Sequence, residues 1–552
     1  MEKLTAIYWL KRDFRLSDNI ALTAALAECE KVVPIFVLEP SFLSAPETSA
    51  FHVHAVTDAL ADLERQFQER GKHIYIIHEE VISALEKLLR KHPFQRIYAH
   101  EEIGIERTFA RDRAVIKWCQ QNNIEFKEFA QTGVFRRLKN RDSRHKLWKK
   151  FSNSPLLPIP KSLRKCSPPR KWLSVIEKMS DKFSLINLGF RLSTIQKSKV
   201  QSVSETAGKE TLESFLFKRG LAYRGGISSP LTAMEAGSRL SVHLAWGTLT
   251  GRTVYQKTWN RITALKQLRL DGDPDAGKFS LSLRSFSSRL HWRDHFIQRL
   301  EHEPQMEFVA LNPAYRELEY DDRPDFLEAW KSGTTGFPMV DACIRCLQAT
   351  GFVNFRMRAM LTSFACHTLR INWKWIDHPM AHLYTDYEPG IHLSQLQMQA
   401  GVVGINTVRI YSPTKQIADQ DPDVKFVHQW VPELREFSAE TILEHSDKPL
   451  GDYPAQLVDW KTASSEMRRR IYAIRKVEGY KDIANSVYQK HGSRRMTPKK
   501  KSTKSAAKKS TKSAAKKSTK SAAKKSTKSA AKKSTKSAAK KSTKSAAKKS
   551  TK

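Results

Sequence analysis

The 552-residue sequence predicts an α/β domain joined to a larger all-helical domain and followed by a disordered lysine-rich tail. Three observations carry that prediction. Short β-rich apolar runs alternate with helical periodicity up to about residue 135. From about residue 210 to 435 the strand signal is gone and the periodicity is helical throughout. Beyond residue 498 the chain is an eight-residue repeat without a single large apolar side chain.

Residues 1–135 read as the first domain. Its strands are expected at Ala6–Leu10, Val32–Leu38, Ile74–Ile77, Ile97–Ala99 and Ile124–Phe129, and its helices at Ile20–Glu30, His52–Glu69, Val81–Arg90 and Glu106–Gln121. Strands separated by helices imply a parallel sheet covered on both faces, here doubly wound. The segment has neither the glycine fingerprint of a dinucleotide site nor a P-loop. Residues 136–215 are basic and proline-rich and read as a connector. Residues 216–440 form the helical domain, with helical periodicity at Leu240–Gln256, Leu281–Leu300, Met339–Leu347, Arg356–Trp373 and His392–Gln399. Residues 441–498 read as a helical extension. Residues 499–552 contain six full copies of Lys-Lys-Ser-Thr-Lys-Ser-Ala-Ala, which repel one another and cannot build a core.

Composition narrows the class. There are 95 Lys plus Arg against 57 Asp plus Glu, a net charge of +38. The tail contributes 22 lysines and no acid, which leaves +16 for the body. With 12 Trp, 14 Tyr and 26 Phe the body can bury a large core. Six cysteines are too few for a disulfide scaffold and suit a reducing compartment. Charge is reached early, at Lys11-Arg12-Asp13, which reads against a signal peptide, and no apolar stretch approaches the ~20 residues of a membrane span. A basic body with a basic tail points to a polyanion, and the tail reads as a sequence-independent DNA tether through residues such as Lys500, Lys501 and Lys504.

Two short motifs invite a metal reading and do not sustain it. His291-Trp292-Arg293-Asp294-His295 spaces two histidines one helical turn apart, but no third ligand is evident. Cys343-Ile344-Arg345-Cys346 lies in an apolar helical pattern with no second pair. No metal is assigned.

A longer constellation is more specific. It comprises Tyr223, Gly237-Ser238-Arg239-Leu240-Ser241, Leu290-His291-Trp292-Arg293-Asp294, Thr335 to Ala342, and Thr350 to Arg358. It closes with Asp386-Tyr387-Glu388 and Arg409-Ile410-Tyr411-Ser412-Pro413. In order and spacing this resembles the flavin domain of the photolyase/cryptochrome family, and Trp9 to Asn19 resembles that family's opening strand and loop. The resemblance spans roughly residues 4–435. It implies an α/β antenna-type domain followed by a helical domain that holds FAD. The cofactor-binding residues it implies are Tyr223, Ser238, Arg239, Leu240, Ser241, Arg293, Arg358, Asp386, Tyr387, Glu388 and His392. Ser238 and Ser241, with backbone N–H groups at a helix start, suit a diphosphate, although Ser238 also reads as a simple cap. Arg358 and Asp386 match a salt bridge beside the flavin ring, and an ordinary ion pair is the plainer alternative. A second, antenna chromophore is allowed for but not assigned.

The chain departs from the family at the active centre. Dimer-repairing members place a carboxylate where Arg289 stands, an asparagine at Phe355 and a methionine at Ala359. Trp292 is retained as a stacking wall for a flipped base, and Arg289, Trp292 and Arg293 are the expected DNA contacts. His392 stands where photolyases have an asparagine near flavin N5, and it is expected, with Trp292 and Arg289, to act in the chemistry. The family's three-tryptophan relay maps to Leu396, Trp373 and Tyr320, so one tryptophan of it survives; a route through Trp375 or Tyr384, or reduction in the dark, is the alternative.

The leading expectation is a FAD-dependent, blue-light-driven DNA photolyase-like protein. It would repair a pyrimidine photolesion by electron transfer from reduced FAD, so the reading leans towards an enzyme, a carbon–carbon lyase. The alternative is a cryptochrome-like blue-light receptor or DNA-binding flavoprotein without repair. DNA is the expected partner, contacted largely independently of sequence, with no membrane and a monomeric state. The expected location is cytoplasmic and nucleoid-associated, or nuclear in a eukaryotic host.

Overall fold

The structure, a computed structural model, describes residues 4–179, 188–321 and 323–492. The lysine repeats and the disorder expected of them lie outside the described residues, as do Lys500, Lys501 and Lys504.

Six strands form one sheet in the order β5-β4-β1-β2-β3-β6. They are β1 (Thr5–Leu10), β2 (Lys31–Val37), β3 (Tyr75–Ile77), β4 (Arg96–His100), β5 (Glu125–Phe129) and β6 (Glu177–Lys178). The first five run parallel. Every residue of β1 is buried, and its side chains alternate between two cores. Ala6, Tyr8 and Leu10 join the cluster on one face, and Ile7 and Trp9 join the cluster on the other. This is the period-2 pattern of a strand covered on both sides. The edge strand β6 pairs antiparallel with β3 through Tyr75↔Lys178 and Ile76↔Glu177. Its two exposed charged residues carry no strand signal, so the sequence reading left this edge as connector.

The second half is helical and is built around a core that includes Trp330, Phe337, Phe364, Trp373 and Leu396. The long Ala276–His302 helix packs on Gly251–Leu270 and on Pro389–Gln399. Close approach to the last of these is possible because Gly390 has no side chain: a Cβ there would lie 2.6 Å from Ile297 Cα.

Two predicted helices are each broken in two. The span Leu240–Gln256 is Ser241–Ala245 and then Gly251–Leu270. Gly247 between them has φ +67°, and a Cβ there would stand 1.9 Å from the Arg12 carbonyl oxygen. The loop after β1 thus presses directly on this break. Arg356–Trp373 likewise divides into Phe355–His367 and Trp373–Leu383, with Arg370 in the left-handed region at φ +56°. The stretch read as connector holds the Arg144–Ser152 and Thr194–Lys199 helices, and Glu205–Phe217 begins inside it.

The α/β and helical parts are tied by a buried ion pair and buried hydrogen bonds. Arg252 Nε donates to Asp18 Oδ2 at 2.8 Å, and Thr250 Oγ1 donates to the same oxygen at 2.6 Å. Glu205, fully buried, accepts from the Leu16 amide at 2.8 Å. Among the described residues no helix is long and apolar enough to cross a membrane.

Candidate functional site

The central feature is Arg358 on the Phe355–His367 helix. Its Nη1 and Nη2 donate to the two oxygens of Asp386 at 2.9 and 3.2 Å, and its Nε donates to the Val353 carbonyl at 2.8 Å. Its guanidinium carbon lies 4.1 Å from the Tyr384 ring centroid. Burial would raise the Asp386 carboxyl, but Arg358 and a hydrogen bond from Ser241 together bring it below the ordinary carboxylate value. A bidentate pair of this kind holds both partners in one orientation.

Beside it stands the turn that leads into the short Ser241–Ala245 helix. Arg239 adopts φ +59°, which costs a side-chain-bearing residue energy and implies that the surroundings fix it there. Its guanidinium sits 3.7 Å from the centre of the Phe352 ring. Burial, only partly offset by Asp386, pushes this guanidinium down to about 10. Leu240 anchors the turn in the core, Ser238 Oγ accepts weakly from the Leu240 amide at 3.4 Å, and Ser241 is exposed on the wall. Nearby, Asn354 donates to the Ile227 and Ser228 carbonyls while its buried Oδ1 accepts from nothing.

A second set of residues closes the wall from the other side. Arg293 Nη2 donates to Glu388 Oε2 at 3.0 Å and to the Leu244 carbonyl at 2.9 Å, and its Nη1 donates to Asp294 at 3.0 Å. Burial raises the Glu388 carboxyl against the pull of Arg12 and Arg293. Arg12, from the loop after β1, donates to the Tyr387 carbonyl at 2.6 Å and lies over the Trp246 ring at 4.5 Å. Arg293 is therefore committed on three sides and forms wall, not a free contact for a nucleic-acid strand.

Tyr223 is buried edge-on between Phe215 and Phe286. Burial raises its hydroxyl, while the charge of Arg289 and a hydrogen bond to it work the other way. Arg289 is exposed and sits one helical turn before Trp292, which is 37% exposed, so both open from the same helix. Phe355, 58% exposed, is also open to solvent. His392 is buried, its Nε2 lying 2.7 Å from Asp377 Oδ1 and its ring packed against Tyr384 and Tyr387. Trp373 and Tyr320 both pack into the helical core, and the buried Tyr320 hydroxyl has no hydrogen-bond partner.

The structure thus joins Arg239, Ser241, Arg358 and Asp386 in one set, Arg12, Arg293, Tyr387 and Glu388 in a second, and Tyr223 with Arg289 in a third. Sequence reasoning missed Arg12 as a site residue, though it stands in a quoted motif. It also missed Asp377, which lies 15 residues before His392 with no local signal. His291 and His295, spaced like metal ligands, face arginines instead: His291 Nε2 is 3.1 Å from Arg144 Nη1, and His295 Nδ1 is 3.0 Å from Arg141 Nη2.

A cleft of about 780 Å³ opens where the sheet meets the helical part. Trp9 and Lys11 line it from the end of β1, and Glu102 and Arg111 line it from the β4 side. The strand order reverses between β1 and β4, which is where open α/β sheets bind ligands. Arg111 lies 5.0 Å from the Trp9 ring and bridges Glu39 and Glu102 at 3.0 and 2.6 Å. A smaller cleft of about 520 Å³ lies next to it, bounded by Arg12, Gln131, Arg293 and Glu388.

A doubly wound sheet followed by a helical half with a partly buried Arg–Asp pair, an exposed Ser241 and a half-buried Arg239 that bonds no carboxylate defines a protein built to hold a large anionic cofactor. The chain belongs to the photolyase/cryptochrome family: the family model "DNA photolyase" matches residues 6–153 and "FAD binding domain of DNA photolyase" matches residues 286–473, together more than half of the sequence. A deoxyribodipyrimidine photo-lyase of Alkalihalophilus pseudofirmus is 25% identical over 485 residues, 82% of this chain and 94% of the relative. A chloroplastic/mitochondrial cryptochrome DASH of Oryza sativa is 24% identical over 508 residues, 84% of this chain and 82% of the relative. Two solved structures share the fold. A class III photolyase of Agrobacterium tumefaciens has a TM-score of 0.74 at 22% identity, covering 86% of this chain and 99% of its own. A photolyase of Sulfolobus tokodaii, described as holding two FAD molecules, has a TM-score of 0.69 at 23% identity, covering 85% and 100%.

FAD is the cofactor of this domain. The residues present fit it: Arg239 is a half-buried cation that bonds no carboxylate, Ser241 offers a hydroxyl at the wall, and Asn354 Oδ1 is an unused buried acceptor.

Proposed function

We propose that this protein is a light-driven DNA-repair flavoenzyme acting on a pyrimidine photolesion. The chemistry FAD supplies when bound and reduced is one-electron donation to the lesion. The chain's own residues would do the rest. Arg358 and Asp386 hold the ring region, and Arg239 with Ser238 and Ser241 receive the diphosphate. Trp292 offers a flat apolar face to a base taken out of the stack, and Arg289 offers a cation to a phosphate or base carbonyl. With Nε2 committed to Asp377, the proton His392 can exchange is the one at Nδ1. Trp373 and Tyr320 remain the aromatic side chains assigned to electron supply. The observation that carries the reading is the pairing of exposed Trp292 and Arg289 on one helix in a chain that also holds the Arg358–Asp386 pair.

One observation favours the second reading, a blue-light receptor or DNA-binding flavoprotein without repair. Arg289 replaces a carboxylate and is hydrogen-bonded to Tyr223, so the lesion-facing position is both reversed in charge and engaged. The test is to illuminate purified protein, supplied with reductant, in the presence of ultraviolet-damaged DNA and to count lesions. Lesion loss that Trp292→Ala abolishes supports repair. Flavin absorbance without lesion loss supports the receptor, and absence of flavin absorbance refutes both.

The cleft at the sheet's switch point, lined by Trp9, Lys11, Arg111 and Trp246, is where a second chromophore would sit. Fluorescence of a second bound species in the purified protein, lost in Trp9→Ala, would establish it.

A further inference from the structure

Three distant segments of chain bring a group of basic side chains together. Arg141 and Arg144 come from the connector, His295, Arg299 and His302 from the end of the long helix, and His491 from the last turn of Tyr480–His491. Arg299 is 3% exposed, His491 2%, Arg144 4% and His295 4%. Arg141 binds the junction together: its Nη1 is 3.3 Å from His302 Nδ1, and its Nη2 is 3.0 Å from His295 Nδ1 and 3.5 Å from the His491 carbonyl. Arg299 and Arg141 both act electrostatically on His295 and on His491.

The donors outnumber the acceptors. Arg299 Nε and Nη1 and Arg144 Nε are buried and bond to nothing. His302 accepts from Arg141 through Nδ1, so as a neutral ring it carries its proton on Nε2, and that buried Nε2 also has no partner. Two carboxylates nearby act on the cluster from a distance, Asp294 on Arg144 and Glu303 on His302, and both are bonded elsewhere. Glu303 pairs with Lys490 and stands 3.6 Å from His491 Nε2. Asp294 serves Arg293, Trp148 and the Gly133 amide. The segment that follows, residues 493–552, contains no acidic side chain. Burial and Arg141 together push Arg299 down to about 10, so no described anion compensates it. Arg252, by contrast, is buried with the carboxylate of Asp18. Among the described residues no group of three or more His, Cys, Asp or Glu side chains is placed to hold a metal, and guanidinium groups would repel a cation in any case.

We propose that this junction binds an oxyanion of the phosphate class, held by Arg299, Arg141, Arg144 and the Nε2–H of His302. Guanidinium forks and imidazole N–H groups are the donors that match tetrahedral oxyanions. Arg141, partly buried, and the exposed Lys490 form the rim by which it enters. The anion would staple the C-terminal helix to the connector and the long helix. The ring of His295 lies 5.2 Å from that of Trp292, so the occupied junction also supports the exposed tryptophan from behind. This inference does not depend on the flavin reading.

The test uses the full chain in phosphate-free buffer, titrated with inorganic phosphate at constant ionic strength, with chloride as the compensating anion. The expected result is saturable binding of one phosphate by calorimetry and a rising unfolding midpoint. Arg299→Met should weaken phosphate affinity about tenfold or more, the loss of charge-assisted hydrogen bonds. It should also keep the wild-type midpoint without phosphate, which a merely structural arginine would not do. If Arg299→Met does not fold, His302→Phe removes one donor and reads the same way. A short DNA duplex separates the two sources of phosphate. Mutual competition with phosphate, and weaker duplex binding by Arg299→Met, assigns the site to the DNA backbone. Lost phosphate binding with unchanged duplex binding assigns it to a free phosphate or phosphomonoester. No saturable response to phosphate or duplex, or one that both variants leave unaltered, overturns the proposal.

Discussion

Arg358 and Arg299 are both arginines withdrawn from solvent within the same helical half, yet their surroundings are opposite. Arg358 has Asp386 on both terminal nitrogens, a carbonyl on Nε and an aromatic ring beneath it. Arg299 has two nitrogens with no partner and other basic groups for neighbours. A buried charge is tolerated when it is paired and hydrogen-bonded, and is costly when it is not. The first arginine is a finished part of a wall. The second is an unfinished one, and the difference separates a residue that shapes a site from a residue that awaits a ligand.

The largest effect expected from that contrast comes from breaking the finished pair. Arg358→Ala leaves Asp386 buried without its cation and should cost about 3–5 kcal/mol of stability. It should also lower flavin content, measured as flavin absorbance per chain in the purified protein. Arg299→Met, made in phosphate-free buffer, should cost far less, because it removes a charge nothing compensates. Equal losses in the two variants would erase the distinction.

A pH titration sharpens it further. Burial lowers His302 and His291 from 6.5 to about 4 and His491 to about 3, with the charges of Arg141 and Lys490 adding to the effect on His302. A histidine lowered on folding stabilises fully above its ordinary value and loses that contribution as pH falls towards the folded value. The protein should therefore weaken between about pH 6.5 and 4, as read from urea midpoints. Buried His52, His243 and His367 contribute to the same window, so the share of the cluster is read from His302→Gln with His491→Gln, which should flatten the slope. Asp386 behaves differently. Its carboxyl is lowered from 3.8, so its contribution is lost only below that value, and Asp386→Asn should leave the upper window unchanged.

The same contrast explains what was legible in the sequence. Strands β1 to β4 could be read because each is a short, mainly apolar run that is almost wholly buried, whereas β5 has no fully buried residue and borrows its signal from Ile124; the Arg358–Asp386 pair could be read because both residues sit in ordered motifs. The helix breaks at Gly247 and Arg370 could not be read as breaks. Gly247 is set by contact with a loop more than 230 residues away in sequence, and Arg370 gives no glycine signal for its left-handed backbone. Asp377 is one acid in a helix, and only tertiary packing brings it to His392. The junction around Arg299 is the extreme case. It is assembled from residues 141, 299 and 491, and its one suggestive motif, His291 to His295, pointed towards a cation when the folded neighbours favour an anion.

A smaller effect is expected at the seam between the α/β and helical parts. Arg12 is intermediate between the two arginines. Its Nη2 donates to the Tyr387 carbonyl, its ring contact is with Trp246, and its buried Nε has no partner. Arg12→Met keeps the packing of the stem and removes one charge-assisted bond, a loss of about 1.5–3 kcal/mol if that bond dominates. If the unpaired Nε dominates, the net change falls below ~1 kcal/mol. Because Gly247 packs on the Arg12 backbone and not on its side chain, the broken helix should survive either way. Hydrogen exchange of the Ser241–Ala245 amides checks this: unchanged protection in Arg12→Met places the seam's rigidity in backbone contact, and lost protection returns it to the guanidinium.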